Sequence, residues 1–331
     1  MDQTLAFSLD LMRLDAHVRA GVIKILEKLQ RELVATLAER PISEFSAARA
    51  NRLIRQSNAT IARYYEQAQG ELFATADDLA PIAAEAGRNA LQSSMPVSIT
   101  VALPAESTLS AIAGDALIMG TTMKGWWAKQ EADVAFRFSA AVRQGMVAAQ
   151  TNQQIIARVR TELEITRANA AALVQTSVAQ VANDARQAVF AANADVVPRV
   201  KWLTALDGHV CPRCMARDGL QWATDTLAPV GHSMPFAQPP IHFQDRCLLL
   251  PQTRFSDMGT GQRASVDGPV DRKTTFADFL DRKGKAFQDD VLGPGRADLW
   301  RDGKITLQDL VSGNGRPLTL AQLRAKYDRP A

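Results

Sequence analysis

Apolar residues in the first part of the chain recur at the spacing of an α-helix. Over residues 11–33 they follow one another at intervals of three or four, which places them in one stripe and predicts a long amphipathic helix. Pro41 and Ser43 are expected to end this helix and to cap the next one. The same spacing predicts two further helices, one through residues 53–65 and one over residues 71–92.

Helical patterning continues in the middle of the chain. The segment 95–107 is β-branched and bracketed by prolines, so it predicts a connection, with a short strand as an option. Residues 107–112 and 121–150 are helical by pattern. A short turn is predicted over 151–159, and a long alanine-rich helix over 164–193.

The pattern changes after Pro198. The following residues are β-branched and turn-rich, and residues 226–251 are rich in proline. This predicts a small irregular segment that needs a cross-link, such as a bound metal, to be stable. Residues 258–269, MGTGQRASVDGP, have the composition of a flexible linker. In the tail behind it, apolar residues at helical spacing predict small helices that either dock in a partner's groove or fold back on the chain. These residues are Phe276, Phe279, Leu280, Phe287 and Val291.

Composition and charge exclude several classes of protein. A length of 331 residues with 47% hydrophobic residues is enough for a sizeable core. The net charge of +3 does not by itself indicate a protein that wraps DNA or binds an acidic membrane. The chain has no cationic and apolar leader, no run long enough to span a bilayer, and too few cysteines for a disulfide framework. We therefore expect a protein made in a reducing cytoplasm, without membrane association.

The cysteines and most of the histidines are clustered. All three cysteines and three of the four histidines fall into one stretch of the second half of the chain. They offer four donors that could close a tetrahedron of sulfur and nitrogen around a structural Zn²⁺. The four are Cys211, Cys214, His242 and Cys247. A metal-free packed or oxidised cluster and a redox dithiol remain alternatives, although the redox dithiol lacks the strand–helix setting that it needs, because an Asp-Gly turn follows at once.

Motifs of established catalytic sites are missing from the sequence. There is no GxSxG, HExxH or phosphate-binding loop, and no glutamate follows Glu164. Aspartates in the second half lie mostly in turns, where they cap backbone N–H groups. His209 and His232 are interpreted as solvated loop residues, and His17 as a surface or boundary residue of a helix. We therefore expect no enzymatic activity.

The middle of the chain resembles the phage Mu F-like head morphogenesis domain. A helix leads into KWLTALDGHVCPRCMARDG and then into QPPIHFQDRCLLLP, and these stretches carry the resemblance. The resemblance covers most of residues 110–331 and is strongest over 170–250. Besides the four metal donors it assigns places to four residues of a structural motif. These are Trp202, Asp207, Asp218 and Gly219.

Two positions depart from the family pattern. Phe243 stands where the family has a proline, and Asp245 stands where it has the first of two terminal cysteines. One sulfur donor is therefore missing near His242. Asp245 is expected either to replace it as an oxygen ligand or to be solvated.

The resemblance implies a structural minor head protein of a tailed phage or prophage, acting in head assembly near the portal and in DNA packaging or ejection. The implied partners are the portal and major capsid proteins and packaged DNA, first in the host cytoplasm and then in the virion head. Two other functions stay open, a zinc-containing DNA-binding module and a phage-delivered effector enzyme. The lack of glutamate in the second half argues against the enzyme. The DNA-binding alternative would use Arg199, Lys201, Arg213, Arg217 and Arg246.

The predicted fold class is mainly α. It combines long N-terminal helices, a small irregular α+β module that resembles a zinc knuckle, and a helical C-terminal tail. The predicted domains are an N-terminal helical region, a Mu F-like domain ending in the Cys/His module 196–255, a linker and a tail. Their bounds are 1–105, 106–255, 256–270 and 271–331.

Overall fold

The computed structural model describes residues 3–39, 47–256 and 261–327. Within these ranges the protein is mainly α-helical, as predicted, with three small antiparallel sheets. The helices are α1 Gln3–Ala38, α2 Ala47–Ser93, α3 Glu106–Asp115, α4 Met123–Val147, α5 Asn152–Ala192, α6 Pro212–Met215, α7 Phe276–Asp281, α8 Lys285–Leu292, α9 Pro294–Arg301 and α10 Leu320–Tyr327. The predicted break at Pro41 and Ser43 lies outside the described residues.

The strands are short, and most lie in the second half of the chain. They are β1 Leu117–Ile118, β2 Thr121–Thr122, β3 Arg199–Leu203, β4 Gln221–Ala223, β5 Pro229–Val230, β6 Leu248–Gln252, β7 Gln262–Arg263 and β8 Val270–Asp271. β1 pairs with β2 and β7 with β8, while the other four form one sheet in the order β5-β4-β3-β6. No strand is assigned to residues 95–105, so the optional strand predicted there is absent from this described segment.

α2 is one helix where the sequence predicted two. The apolar stripe continues without interruption through Ile61, Leu72 and Leu79, which are all buried. Gly70 and Pro81 lie inside the helix. The proline removes one backbone hydrogen bond, but burial of the stripe on both sides holds the helix together.

α5 is also longer than predicted. The expected turn over 151–159 is the beginning of the same helix, because Ile155, Val159 and Leu163 lie in one buried stripe. No proline or glycine interrupts residues 152–192. The helical spacing of residues 152–163 therefore continues without a break into the helix that was predicted over 164–193.

The chain forms two compact units, which interleave in sequence. One comprises residues 1–9, 82–105 and 182–331, and the other comprises residues 10–81 and 106–181. The domain bounds predicted at residues 105, 255 and 270 stay predictions. The compact units also divide the chain between residues 105 and 106. Their other divisions fall inside α1, α2 and α5, which each contribute residues to both units.

The unit of residues 10–81 and 106–181 is built from helices packed along buried apolar stripes. Trp127 of α4 is buried and contacts the Tyr65 ring of α2 edge-on, with 5.8 Å between ring centroids. α4 and α5 approach closely near Gly145, where an added Cβ would lie 2.3 Å from Cγ1 of Ile155. Glycine at this position allows the two helices to pack.

The other unit contains the four-stranded sheet and the tail. Trp202 of β3 and Trp222 of β4 are fully buried and contact edge-on, with 6.4 Å between ring centroids. Leu206 and Met215 pack into one apolar core with Phe276 and other tail residues. Phe279 and Leu280 are buried there, and Phe287 and Val291 pack against it. Of the two alternatives predicted for this stripe, the structure shows the fold-back on the chain.

The predicted linker 256–270 differs from the structure over its described part, residues 261–270. β7 and β8 form a two-stranded ribbon, and Arg263 of β7 is buried. The glycine, serine and glutamine residues of this segment predicted flexibility. The buried ion pair between Arg263 and Asp218 instead holds it in place. No described helix is long and apolar enough to cross a membrane.

Candidate metal centre

Cys211 and Cys214 lie at the start of the one-turn helix α6, which follows β3 after a loop of residues 204–211. Cys211 is the residue before the helix, with an extended backbone at φ −83° and ψ 158°, and Pro212 occupies the first helical position. Proline suits that position because its φ is already helical and its missing N–H would be unpaired there. The short helix therefore turns both thiols toward the same side.

Three predicted donors come together in the structure. The Sγ atoms of Cys211 and Cys214 are 3.5 Å apart, and Sγ of Cys214 lies 3.3 Å from Nε2 of His242. All three donor atoms lie within 4.8 Å of one another. In a tetrahedral zinc site, neighbouring sulfur and nitrogen ligands are about 3.5–3.8 Å apart. These side chains therefore fit a soft metal ion.

His242 is oriented as a metal ligand needs to be. Its Nδ1 lies 2.7 Å from the carbonyl oxygen of Phe243. A carbonyl oxygen only accepts, so Nδ1 carries the proton and donates it. This leaves Nε2 facing the thiols, and binding of a metal there would release any proton that Nε2 carries, which gives the arrangement usual for zinc-bound histidines.

Cys247 belongs to a second group of donors that shares Cys214. The ligand atoms of Cys214, Asp245 and Cys247 lie within 4.8 Å of one another. Cys247 is buried, and its carbonyl oxygen accepts a hydrogen bond from Asn183 at 3.1 Å. The structure thus places all four predicted donors in one cluster around Cys214, and this cluster could bind a metal.

Asp245 is buried, so of the two alternatives predicted for it the solvated one is wrong, and the oxygen ligand stays a prediction. Its Oδ2 accepts from the backbone N–H of Ile241 at 2.8 Å, and its Oδ1 accepts from that of Cys247 at 2.9 Å. Sγ of Cys214 lies 3.7 Å from Oδ1. The carboxylate therefore shapes the loop that carries His242 and Cys247.

Electrostatics within the cluster favours one thiolate. A hydrogen bond from Cys214, followed by contacts with His242, lowers the pKa of Cys211 to about 4. The contact with Cys211 raises the pKa of His242 to about 9. Burial raises the pKa of Cys247 to about 11, and the hydrogen bond to Cys211 raises the pKa of Cys214. A divalent cation would compensate the negative charge that a fully ionised set of thiols would create here.

The remaining histidines do not join the cluster. His209 is exposed, in agreement with its interpretation as a loop residue. His232 is half-buried: its Nδ1 accepts from the backbone N–H of Met234, and its Nε2 donates to the carbonyl oxygen of Gln221. The prediction that His232 is solvated is wrong, because both ring nitrogens are used inside the fold. His17 is exposed.

The motif residues frame the cluster. The indole N–H of Trp202 donates to Oγ1 of Thr204, and that hydroxyl donates to the carbonyl oxygen of Cys214 at 3.0 Å. Asp207 accepts from the backbone N–H of His209 and forms an ion pair with Arg246 at 2.7 Å. Thr204 therefore links β3 to α6, a role that the sequence did not reveal.

Asp218 joins the cluster's segment to the tail. Its Oδ1 accepts from the backbone N–H of Thr204 at 2.9 Å, and its Oδ2 accepts from that of Phe276 at 2.6 Å. Arg263 donates to both carboxylate oxygens and to the carbonyl oxygen of Thr204. Gly219 follows with φ +81°, a backbone conformation that favours glycine in this turn.

The charges near the cluster are largely engaged within the fold. Arg217 is 2% exposed, and burial lowers its pKa. Arg213 donates to the carbonyl oxygen of Ile241, and Arg246 pairs with Asp207. Arg217 is therefore inaccessible to a phosphate and cannot contribute to the DNA-binding surface that the alternative function would need.

Comparison with known proteins identifies one family. Residues 137–250 match the family model described as Phage Mu protein F like protein. The matched region contains all of α5, the four-stranded sheet except the last two residues of β6, and all four candidate metal donors. No curated protein and no solved structure was found to match the chain.

Proposed function

We propose, from the match of residues 137–250 to the family model described as Phage Mu protein F like protein, that the protein is a structural component of a phage head. The family match carries this proposal. We infer more specifically a minor head protein of a tailed phage or prophage, which acts in head assembly and in DNA packaging or ejection near the portal. Its proposed partners are the portal and major capsid proteins and packaged DNA. It would assemble in the host cytoplasm and reside in the virion head.

The Cys/His cluster supports a structural role over a catalytic one. Cys211, Cys214 and His242 lie close enough together to share one Zn²⁺. Cys247, which adjoins Cys214, would complete a closed tetrahedral site once its thiol moves toward the other three donors. Bound metal would cross-link the loop after β3 to the loop before β6. A segment whose strands are only two to five residues long gains much of its stability from such a staple. We accordingly propose that the protein has no enzymatic activity.

Co-expression with the portal and major capsid proteins of the same phage or prophage tests the head function. We expect the tagged chain to co-purify with at least one of them and to be present in assembled heads. The matched variants are Cys214→Ser, which removes the shared donor of the cluster, and His209→Ala, which changes an exposed residue outside it. We expect the first to weaken co-purification and the second to leave it unchanged.

A chain that stays monodisperse and unbound beside its portal and capsid proteins, and is missing from heads, would refute the proposal. Equal incorporation of the wild type and Cys214→Ser would separate the two claims. The head function would then stand, and the Cys/His cluster would not be needed for it.

A further inference from the structure

Six arginines lie on the segments near one end of the helical unit of residues 10–81 and 106–181. They come from the beginning of α2, the end of α4 and the first turns of α5. They are Arg49, Arg52, Arg55, Arg143, Arg158 and Arg160. Arg158 is half-buried and the other five are exposed.

Side-chain contacts bring these three segments together. Arg143 of α4 donates to the side chain of Asn51 of α2 at 3.3 Å, and Arg158 of α5 donates to that of Gln144 of α4 at 3.0 Å. Asn152, at the start of α5, donates to the carbonyl oxygen of Leu37 near the end of α1. The arginines therefore share one end of the unit. We call the six arginines the arginine end.

The segments of α2, α4 and α5 that carry these arginines contain no acidic residue of their own, although Glu39 follows α1 near the same end. Residues 47–65 and 134–161 contain neither aspartate nor glutamate. Further along the same helices, arginines are paired, Arg63 with Glu32 and Arg137 with Glu162. Among the described residues, Arg52, Arg55, Arg143, Arg158 and Arg160 form no ion pair.

The position of the charges in α2 is unfavourable for the helix itself. Arg49 and Arg52 lie in the first two turns, where the helix dipole is positive, and the first turn holds no acidic residue. A cation in the first turn of a helix opposes the helix dipole, and this effect weakens beyond that turn. Together with the like charges of α4 and α5, this arrangement creates a positive field that an external polyanion would compensate.

We propose that the arginine end binds the phosphate backbone of double-stranded DNA. Arginine donates in a fork that matches phosphate geometry, and duplex DNA presents one negative charge per about 1.7 Å. Residues 47–60 and 143–161 include no aromatic side chain, so no platform exists there for stacking unpaired bases. Val147 is the one large apolar side chain exposed on these described segments, which does not favour a protein groove. The inference deepens the proposed function, and the choice of duplex DNA as the polyanion rests on that function.

Binding of the purified full chain to a labelled 30-base-pair duplex of arbitrary sequence, by fluorescence anisotropy between about 50 and 200 mM NaCl, tests the inference. The variant is Arg52→Gln/Arg55→Gln/Arg160→Gln. The control is Lys24→Gln/Lys28→Gln/Lys124→Gln, which removes the same charge from exposed positions elsewhere on the unit. The salt dependence should lose about 0.9 of slope per phosphate contact removed, so about 2.7 in the arginine variant.

We expect the arginine variant to lose at least about tenfold in affinity and the lysine control less than about threefold. Arg52→Lys/Arg55→Lys/Arg160→Lys should keep most of the binding, which separates lost charge from lost structure. Equal losses in the arginine and lysine variants, or no salt-dependent binding by the wild type, would overturn the inference. Tighter binding of a single-stranded oligonucleotide would refute the duplex, and equally effective competition by polyglutamate would point to an acidic protein instead.

The outcomes remain distinct from those of the head function. If the arginine variant loses DNA binding but still co-purifies with portal and capsid proteins, both proposals stand. If the wild type binds neither duplex nor polyglutamate but enters heads, only the arginine-end proposal fails. Salt-dependent DNA binding by a chain that never enters heads would retain the DNA contact and remove the proposed head function.

Discussion

Asp218 and Arg263 form a buried ion pair in which Oδ1 of the aspartate and an amino group of the arginine are 2.6 Å apart. The side chains are 2% and 6% exposed, and 45 residues separate them in the sequence. The same carboxylate receives the backbone N–H groups of Thr204 and Phe276. One side chain thus links the end of β3, the ribbon of β7 and β8, and the beginning of α7.

Removal of Arg263 is expected to destabilise this unit strongly. Arg263→Ala leaves the Asp218 carboxylate buried without a counter-ion, which costs about 3–5 kcal/mol. Native-state hydrogen exchange of amides in β3 and α7 measures the loss. Lys285→Ala, which breaks an exposed pair with Asp289, should leave the protection of these amides nearly unchanged. Similar protection in both variants would contradict the role of the buried pair.

The metal proposal predicts that only one of two histidines matters. His242→Ala should lose most of the zinc, because Nε2 faces the thiols, and His209→Ala should retain about one zinc per chain. Metal analysis of reduced protein, prepared without chelators, gives the stoichiometry. A chelator should also increase hydrogen exchange over residues 199–252 in the wild type. A wild type that carries almost no zinc would show that the cluster is metal-free.

The first turn of α7 should make stability depend on pH. Thr275 and Asp278 form a capping box, and hydrogen bonds from Thr275 lower the pKa of Asp278 from 3.8. Because the folded pKa is the lower one, this contribution is present above pH 3.8 and is lost as the pH falls through the folded pKa. Thr275→Ala should cost about 1 kcal/mol.

Thermal unfolding of Asp278→Ala at two pH values measures this dependence. The stability difference from the wild type should shrink between pH 6 and about pH 3. Asp281→Ala is the control, since Asp281 lies at the other end of α7, outside the capping box. A difference that stays constant or grows on acidification would argue against the capping box as its source.

The close approach of α4 and α5 predicts opposite effects for two glycine substitutions. Gly145→Ala introduces a Cβ only 2.3 Å from Ile155, which is fully buried and cannot move freely, so a loss of about 1–3 kcal/mol is expected. Gly70→Ala lies within α2 with nothing within 4 Å and should stabilise by about 0.5–1 kcal/mol. Urea denaturation compares the two, and a stabilising Gly145→Ala would show that α4 and α5 are farther apart.

The sequence predicted where helices occur better than where they end. The buried stripe around Val18 and Val22 follows directly from its spacing. The sequence analysis, in contrast, predicted two helices in place of α2, because it gave too much weight to the local sequence around Gly70. Propensity acts over a few residues, whereas burial of the stripe on both sides of Gly70 and Pro81 acts over the whole of α2.

The donors of the candidate metal centre were predictable, but their surroundings were not. Cys211 and Cys214 are separated by only two residues, and few residue types bind soft metals, so clustering alone indicated these donors. Arg263 lay in a segment with the composition of a linker, and only its partner shows its role. A buried ion pair between distant residues leaves no local pattern, because either side chain alone looks like a solvated charge.

The contacts of Asp218 have a consequence for the order of events during synthesis. When the ribosome has added Asp218, the partners at Arg263 and Phe276 are still 45 and 58 residues ahead. The nascent segment can assemble its thiols and imidazole, but it holds an unneutralised aspartate until the later residues emerge. This region therefore cannot reach its final contacts before the residues of the ribbon and of the first turn of α7 have left the ribosome.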